Sequence, residues 1–314
     1  MWLLFAPLAA SPPRELTLQP ARPLEEHAVL FVVDHEPSFQ RRCLSSVRDL
    51  REAGQYTGPV VIVSDGHSPE LRRESEALNA RLLNVSTVLP ADLYPVATPT
   101  PCGLLPRKRR DGASGYHLKA LISMSPFWSE RYRTLLFLDC GMKISAPVEP
   151  FFAIDRAGKL VAHSNRDPNG LARNLLDTEL KQECSPTAYT QLLNRYGTQE
   201  LAVDYFMSTL MLYDTELLRD GQALREVARL YREAGPFIDG DQSVLSLYWV
   251  VNRSAWLALP SLLPGRGQQC YFDYVPFPAL GCSSYVAYKH EYKCVDCVPD
   301  CNGCGSDFDP HMRL

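Results

Sequence analysis

The sequence has no uninterrupted run of about 20 apolar residues, the length that a helix needs to cross a bilayer. It has no glycine-rich phosphate loop of the Rossmann or P-loop kind and no internal repeat, which argues against a dinucleotide fingerprint and a solenoid. Excess charge is also scarce. With 32 Lys and Arg against 36 Asp and Glu, the net charge is -4, which argues against nucleic acid as the main partner. Positive charge is concentrated in one cluster, Arg107-Lys108-Arg109-Arg110. It reads first as a solvated loop and otherwise as a phosphate grip or a dibasic processing site. The apolar start, Met1 to Ala10, lacks the positive residues that normally precede a signal core, so it reads as a signal segment or a disordered tail.

What is present suits one large α/β domain or two small ones: 314 residues, 46% hydrophobic and 22% charged. The 25 prolines fit long, rigid loops. Ten cysteines is a high count for a cytosolic enzyme. Together with the apolar start and two sequons, Asn84-Val85-Ser86 and Asn252-Arg253-Ser254, they favour the secretory route and a Golgi lumen over the cytoplasm.

Residues 1–26 are Pro-rich and aperiodic, and are expected to be a tail. Ala28 to Val33 is a buried strand ending in Asp34-His35. A helix capped by Ser38 runs to about Ala53, and Pro59 to Ser64 is a second buried strand. Ser68-Pro69 opens a second helix, and Leu82 to Val88 reads as a third strand. Such a β-α-β-α-β order predicts a mostly parallel sheet with helices on both faces. Beyond the Pro- and Arg-rich loop 90–113, Tyr116 to Trp128 looks helical. Leu135 to Leu138 is a central strand with Asp139 at its carboxyl end, where ligands bind in open α/β sheets. Tyr205 to Tyr213 is an apolar strand, Thr215 to Ala234 an amphipathic helix, and Asp239-Gly240-Asp241-Gln242 starts a further helix that runs through Trp249.

Three stretches in order carry a resemblance. The first, Tyr116 to Phe152 (YHLKALISMSPFWSERYRTLLFLDCGMKISAPVEPFF), places Lys119 on a helix and Asp139 after a strand that Met142 to Ile144 continues. The second joins Tyr205-Phe206-Met207-Ser208 to Pro236-Phe237-Ile238-Asp239-Gly240-Asp241-Gln242, and the third is Tyr288-Lys289-His290. Together they resemble glycogenin and its relatives, the family 8 glycosyltransferases. The resemblance implies a GT-A domain over 27–293, a nucleotide-diphosphate sugar donor (UDP-linked by expectation), and transfer of a hexose with retention to a glycan or protein hydroxyl. It implies donor contacts from Asp34, Lys119, Asp139 and Ser208, catalytic roles for Asp241, Gln242 and Lys119, and a divalent cation such as Mn²⁺ held by Asp139 and His290. The chemistry makes independent sense. Breaking a bond to a diphosphate builds negative charge, which a cation or ammonium stabilises, and hard cations take carboxylate and tolerate imidazole.

The chain departs from the pattern in two places. Its Asp-x-Asp motif reads Asp139-Cys140-Gly141, so the second carboxylate is missing. That leaves weaker metal binding, metal-free catalysis, or a catalytically inactive nucleotide-sugar-binding protein as outcomes. Met207 stands where the family carries Asn, which leaves the donor sugar open. An unrelated α/β function such as nucleotidyl transfer would need a second carboxylate near Asp139 from elsewhere. The bland alternatives are that Asp139, Asp239 and Asp241 merely cap local structure and that Lys119 lies on a solvated face. In the tail, residues 294–314, Cys294-x-x-Cys297-x3-Cys301-x-x-Cys304 fits structural Zn²⁺, two disulfides or free thiols. The gap between the pairs is shorter than in zinc ribbons.

Overall fold

The structure is a computed structural model that describes residues 25–93, 113–142, 144, 147–164, 171, 190, 194–197, 201–234 and 241–259. The expected features at Arg107–Arg110, Pro236–Gly240, Tyr288–His290 and Cys294–Cys304 lie outside the described residues. So does the tail up to residue 24.

Seven strands form one sheet: β1 (Glu25–Val33), β2 (Val60–Ser64), β3 (Ala80–Asn84), β4 (Tyr132–Leu138), β5 (Leu160–Ser164), β6 (Phe206–Asp214) and β7 (Trp256–Ala258). Their order across the sheet is β3-β2-β1-β4-β6-β5-β7. β1 pairs in parallel with β2 and β4, β2 with β3, and β5 with β7, whereas β6 runs antiparallel to both β4 and β5. The sheet is thus mixed and mostly parallel, as expected. β1 extends further toward the N-terminus than its apolar run because Glu25 and His27 find partners opposite Tyr132 and Thr134 on β4.

Both faces of the sheet are covered, and the strand period of two sorts the side chains. Leu30, Val32, Leu135 and Phe137 point to the face covered by α4 (Ala113–Ser123), α6 (Gln222–Ala234) and α7 (Asp241–Ser246). Val29, Phe31, Val33, Leu136 and Leu138 point to the other, against α1 (Pro37–Glu52) and the short α5 (Glu149–Phe152). The near-continuous hydrophobic runs of β1, β2 and β4 follow from this two-sided burial.

Several helix boundaries differ from the sequence expectation, each for a local reason. α1 starts at Pro37 and not after a Ser38 cap; Glu36 precedes it without a side-chain cap bond, and proline suits the first helical position. β3 ends at Asn84, whose Oδ1 accepts from Ser86 N–H (3.0 Å) and opens a short helix α3 (Val85–Val88) in place of the expected strand. α4 stops at Ser123 because Pro126 disfavours helix at Ser125; a 3-10 turn, Pro126–Glu130, follows with Ser125 Oγ accepting from Phe127 N–H. The expected helix from Thr215 is split, with a 3-10 turn over Thr215–Leu218 and then Gly221 at φ +67 ahead of α6. α7 passes into a π-helix, Leu247–Asn252. Met142 and Ile144 are buried but not in a strand. α2 (Pro69–Ala77) starts as expected, with Ser68 Oγ accepting from Leu71 N–H at 3.0 Å.

One side chain ties these pieces together at the far end of α1. Arg51 donates to the carbonyls of Tyr56, Gly58, Leu78 and Asn79 at 2.7 to 3.0 Å, binding the α1–β2 and α2–β3 connections to one guanidinium. Arg51→Met keeps the stem but leaves those carbonyls without their charged donor. It is expected to lower unfolding stability by about 2–3 kcal/mol in urea titrations. An unchanged midpoint would show that water replaces the guanidinium at no cost.

Candidate functional site

The strand order reverses between β1 and β4, and both strands point their carboxyl ends the same way. A crevice is therefore expected beyond Val33 and Leu138. Asp34 follows β1 and Asp139 follows β4 at that end.

Three charges meet beside it. Lys119 Nζ lies 3.1 Å from Asp139 Oδ2 and 2.9 Å from Asp241 Oδ2. Lys119 and Asp241 are only 5% and 4% exposed, so neither is the solvated or merely capping residue of the bland alternative. The Asp241 contact is one of charge, since Oδ2 makes no hydrogen bond of good angle. The ammonium also sits 5.4 Å from the centre of the Phe137 ring, a cation–π arrangement. Burial by itself would lower the Lys119 ammonium, but Asp139 and Asp241 more than offset this and hold it above its ordinary value. Lys119 is therefore a fixed cation at every physiological pH.

The position of each group has a local cause. The carboxyl end of α4 is anchored by Trp128 Nε1 donating to Ile122 O (2.7 Å) and Tyr213 O–H donating to Ser123 O (2.7 Å), which occupies carbonyls that a helix end leaves free. Asp139 N–H donates to Thr209 O (2.8 Å), and Cys140 N–H donates back to Asp139 Oδ1 (3.1 Å). Gly141 adopts φ +92, a left-handed conformation that favours glycine, and its N–H donates to Ser46 Oγ on α1 (2.9 Å). Asp241 is the first residue of α7, where a carboxylate also suits the helix dipole. The buried Tyr231 phenol, raised by burial and by the charge of Asp241, stays protonated beside it.

Of the residues expected at the site, Lys119, Asp139 and Asp241 are brought together. Gln242 follows Asp241, half-buried, and Asp34 sits at the end of β1, where burial raises its carboxyl. Ser208 is buried in β6, where the β5–β6 register jumps between Ala162 opposite Met211 and His163 opposite Met207. Three supporting residues belong to no motif: Ser46, Thr209 and Tyr231. Ser46 alone left a trace, as a small polar residue on the apolar face of α1.

A divalent cation fits the described residues poorly. Asp139 is engaged by Lys119 and Cys140, Gly141 has no side chain, and His290 lies outside the described residues. Among the described residues no three His, Cys, Asp or Glu come together to hold a metal. A groove of about 790 Å³ between α2 and the adjoining strands, lined by His67, Arg72, Glu76 and Arg81, contains none of the site residues.

Two predictions follow from the buried charges. Lys119→Ala leaves two buried carboxylates facing each other and is expected to cost about 3–5 kcal/mol in denaturant unfolding; a loss under about 1 kcal/mol would show that water enters freely. Asp139 behaves differently. Burial raises its carboxyl above 3.8, with Lys119 opposing and Asp241 adding to the rise. Stability tied to a raised carboxyl is present below the unfolded value and lost as pH climbs through the folded one. The melting temperature of Asp139→Asn minus that of the wild type should therefore grow from about pH 4 to about pH 7. A difference that shrinks across that range would overturn the assignment.

No protein-family model matches the chain, and none of the curated proteins does. Solved structures do. The galactosyltransferase LgtC, in complex with donor and acceptor sugar analogues, is similar with 13% identity and a TM-score of 0.51 over 88% of this chain and 92% of that one. An active-site glutamine-to-glutamate mutant of LgtC is similar with 13% identity and a TM-score of 0.50 over 74% and 73%. The mannosyltransferase Ktr4p of S. cerevisiae gives 16% identity and a TM-score of 0.46 over 79% and 73%. At such identities the likeness is one of fold, and with its β3-β2-β1-β4-β6-β5-β7 sheet this chain has the GT-A fold of LgtC.

Proposed function

We propose that the chain is a glycosyltransferase that moves a hexose from a nucleoside-diphosphate sugar, by expectation a UDP-sugar, to a hydroxyl of a glycan or protein with retention at the anomeric carbon. The observation that carries this reading is the buried Lys119 held between Asp139 and Asp241 at the strand reversal of a GT-A sheet. The donor and acceptor analogues bound by LgtC support it, and so does the active-site glutamine of LgtC that the mutant replaces with glutamate, a residue type that the proposal gives to Gln242.

In this reaction the bond from the anomeric carbon to the diphosphate oxygen breaks and a bond from that carbon to the acceptor oxygen forms. The acceptor proton passes to the departing phosphate. Negative charge grows on the phosphate oxygen, and the Lys119 ammonium, fixed before the donor arrives, stabilises it without reorganising. Positive charge grows at the anomeric carbon, which the Asp241 carboxylate and the Gln242 amide oxygen would stabilise. Asp34 would contact the nucleoside, and Ser208 would line the sugar side. A divalent cation, if held by Asp139 and His290, would neutralise phosphate charge.

Gly141 favours a second reading, a nucleotide-sugar-binding protein without turnover. Both readings are tested by calorimetric titration with UDP, with and without Mn²⁺, followed by UDP-sugar turnover on the same sample. The transferase reading expects binding and turnover in the wild type, and turnover at least 100-fold lower in a folded Asp241→Asn, on the scale of losing one charge-stabilising group. Normal transfer by Asp241→Asn would sink the catalytic assignment, and binding without turnover would establish the second reading. A Cβ at Gly141 meets nothing within 4 Å, so Gly141→Asp has space for a carboxylate although φ +92 strains it. Under either reading this variant should bind Mn²⁺ more tightly than the wild type; unchanged affinity would move the cation site elsewhere.

A further inference from the structure

Along Leu210, Met211, Leu212 and Tyr213, β6 is apolar and fully buried. Ahead of these, at the crevice end of the strand, stands Thr209, which is only 6% exposed. Its Oγ1 is buried with no hydrogen-bond partner among the described residues. Valine has nearly the same shape and suits a strand as well, so β6 gains nothing from a hydroxyl that leaves water and makes no bond. The place of that hydroxyl shows what can supply the bond. The β4–β6 register runs down to Leu138 opposite Leu210 and continues one step to Asp139 opposite Thr209, where Asp139 N–H donates to Thr209 O at 2.8 Å. Opposed residues of an antiparallel pair present their side chains on one face. Here it is the face of Phe137, Met211 and Tyr213, which α4 and α7 cover, and from it Asp139 reaches Lys119. Thr209 is enclosed as closely as Lys119 and Asp241, so a ligand that comes into contact with the ammonium opens the same enclosure.

We propose that Thr209 is a specificity-determining residue, its hydroxyl hydrogen-bonded to one hydroxyl of the transferred hexose. The assignment rests on the glycosyltransferase reading and deepens it. The chemistry of the corner selects a sugar hydroxyl over a phosphate oxygen. The diphosphate is answered by the Lys119 ammonium. Next to the carboxylates of Asp139 and Asp241, an uncharged hydroxyl approaches without repulsion. Threonine donates one bond and accepts others, as a sugar hydroxyl does, so the two pair in either direction. Its β-branch restricts χ1, which holds the hydroxyl in place before the donor arrives. The contact moves no proton and adds no charge. It reads whether a hydroxyl stands at one carbon of the hexose and in which configuration, because a donor without it leaves Thr209 Oγ1 buried and unbonded.

The test compares full-length wild type, Thr209→Val and Thr209→Ser. Calorimetry gives their affinities for UDP, UDP-glucose and UDP-galactose, and melting temperatures are taken on the same samples. For one of the two UDP-hexoses, affinity relative to UDP is expected to fall about tenfold in Thr209→Val, the scale of one hydrogen bond lost in a buried site. Thr209→Ser keeps the hydroxyl and should restore it. Thr209→Val should melt at or above the wild-type temperature, since only an unbonded hydroxyl is removed. A lower melting temperature would give the hydroxyl a structural partner and overturn the proposal. A fall in relative affinity shared by Thr209→Ser would trace the effect to the lost methyl group and overturn it too. If the wild type binds and turns over a UDP-hexose and Thr209→Val keeps the same relative affinities, the transferase reading stands and the Thr209 assignment alone is lost. If the wild type binds neither UDP nor either UDP-hexose, the transferase reading itself fails and takes the assignment with it.

Discussion

A buried ammonium cannot exist without counter-charge, and the crevice is arranged around that constraint. Lys119 is drawn out of water by the closure of α4 over β1 and β4, and its desolvation is tolerable because Asp139 and Asp241 come within 3.1 Å and 2.9 Å. Those carboxylates come from opposite parts of the chain. One follows a central strand and the other opens a helix more than 100 residues later. The folding of the first half of the chain onto the second and the assembly of the site are therefore linked: a chain that failed to bring α7 over α4 would leave Lys119 with Asp139 but without Asp241.

The cluster is not neutral, however. One ammonium faces two carboxylates, so the site carries a surplus negative charge before any diphosphate enters it. Burial raises Asp139, which marks this carboxylate as held against its own preference by the surrounding structure. Under the proposed function, a donor diphosphate would require positive charge beyond Lys119, from a cation or from basic residues elsewhere in the chain.

The turn that follows β4 shows how closely the backbone is specified there. Within three residues, Asp139, Cys140 and Gly141 engage β6, β1 and α1 through Thr209, Val32 and Ser46. Gly141, where the resemblance would place a carboxylate, is thus held in a defined turn by Ser46. The left-handed conformation there is one that glycine adopts without strain.

Much of this was legible in the residues. The apolar runs of β1, β2 and β4 gave strands because a sheet covered on both faces has no solvent side to alternate with, and Asp139 could be placed at a strand end from that run alone. Lys119 and Asp241 were selected by their order in the chain through resemblance, and physical reasoning by itself would have left them as a solvated lysine and a helix cap. Their burial, and the contact between them, depend on the packing of α4 against α7, which no local pattern encodes. The same holds where expectation and structure part. Pro126 ended α4 early and Asn84 turned β3 into a capped turn, both local effects that the strong hydrophobic signal masked. The antiparallel course of β6 and the register jump beside Ser208 were decided by tertiary structure alone. Each joins residues far apart in the chain, and sequence periodicity reports only on neighbours.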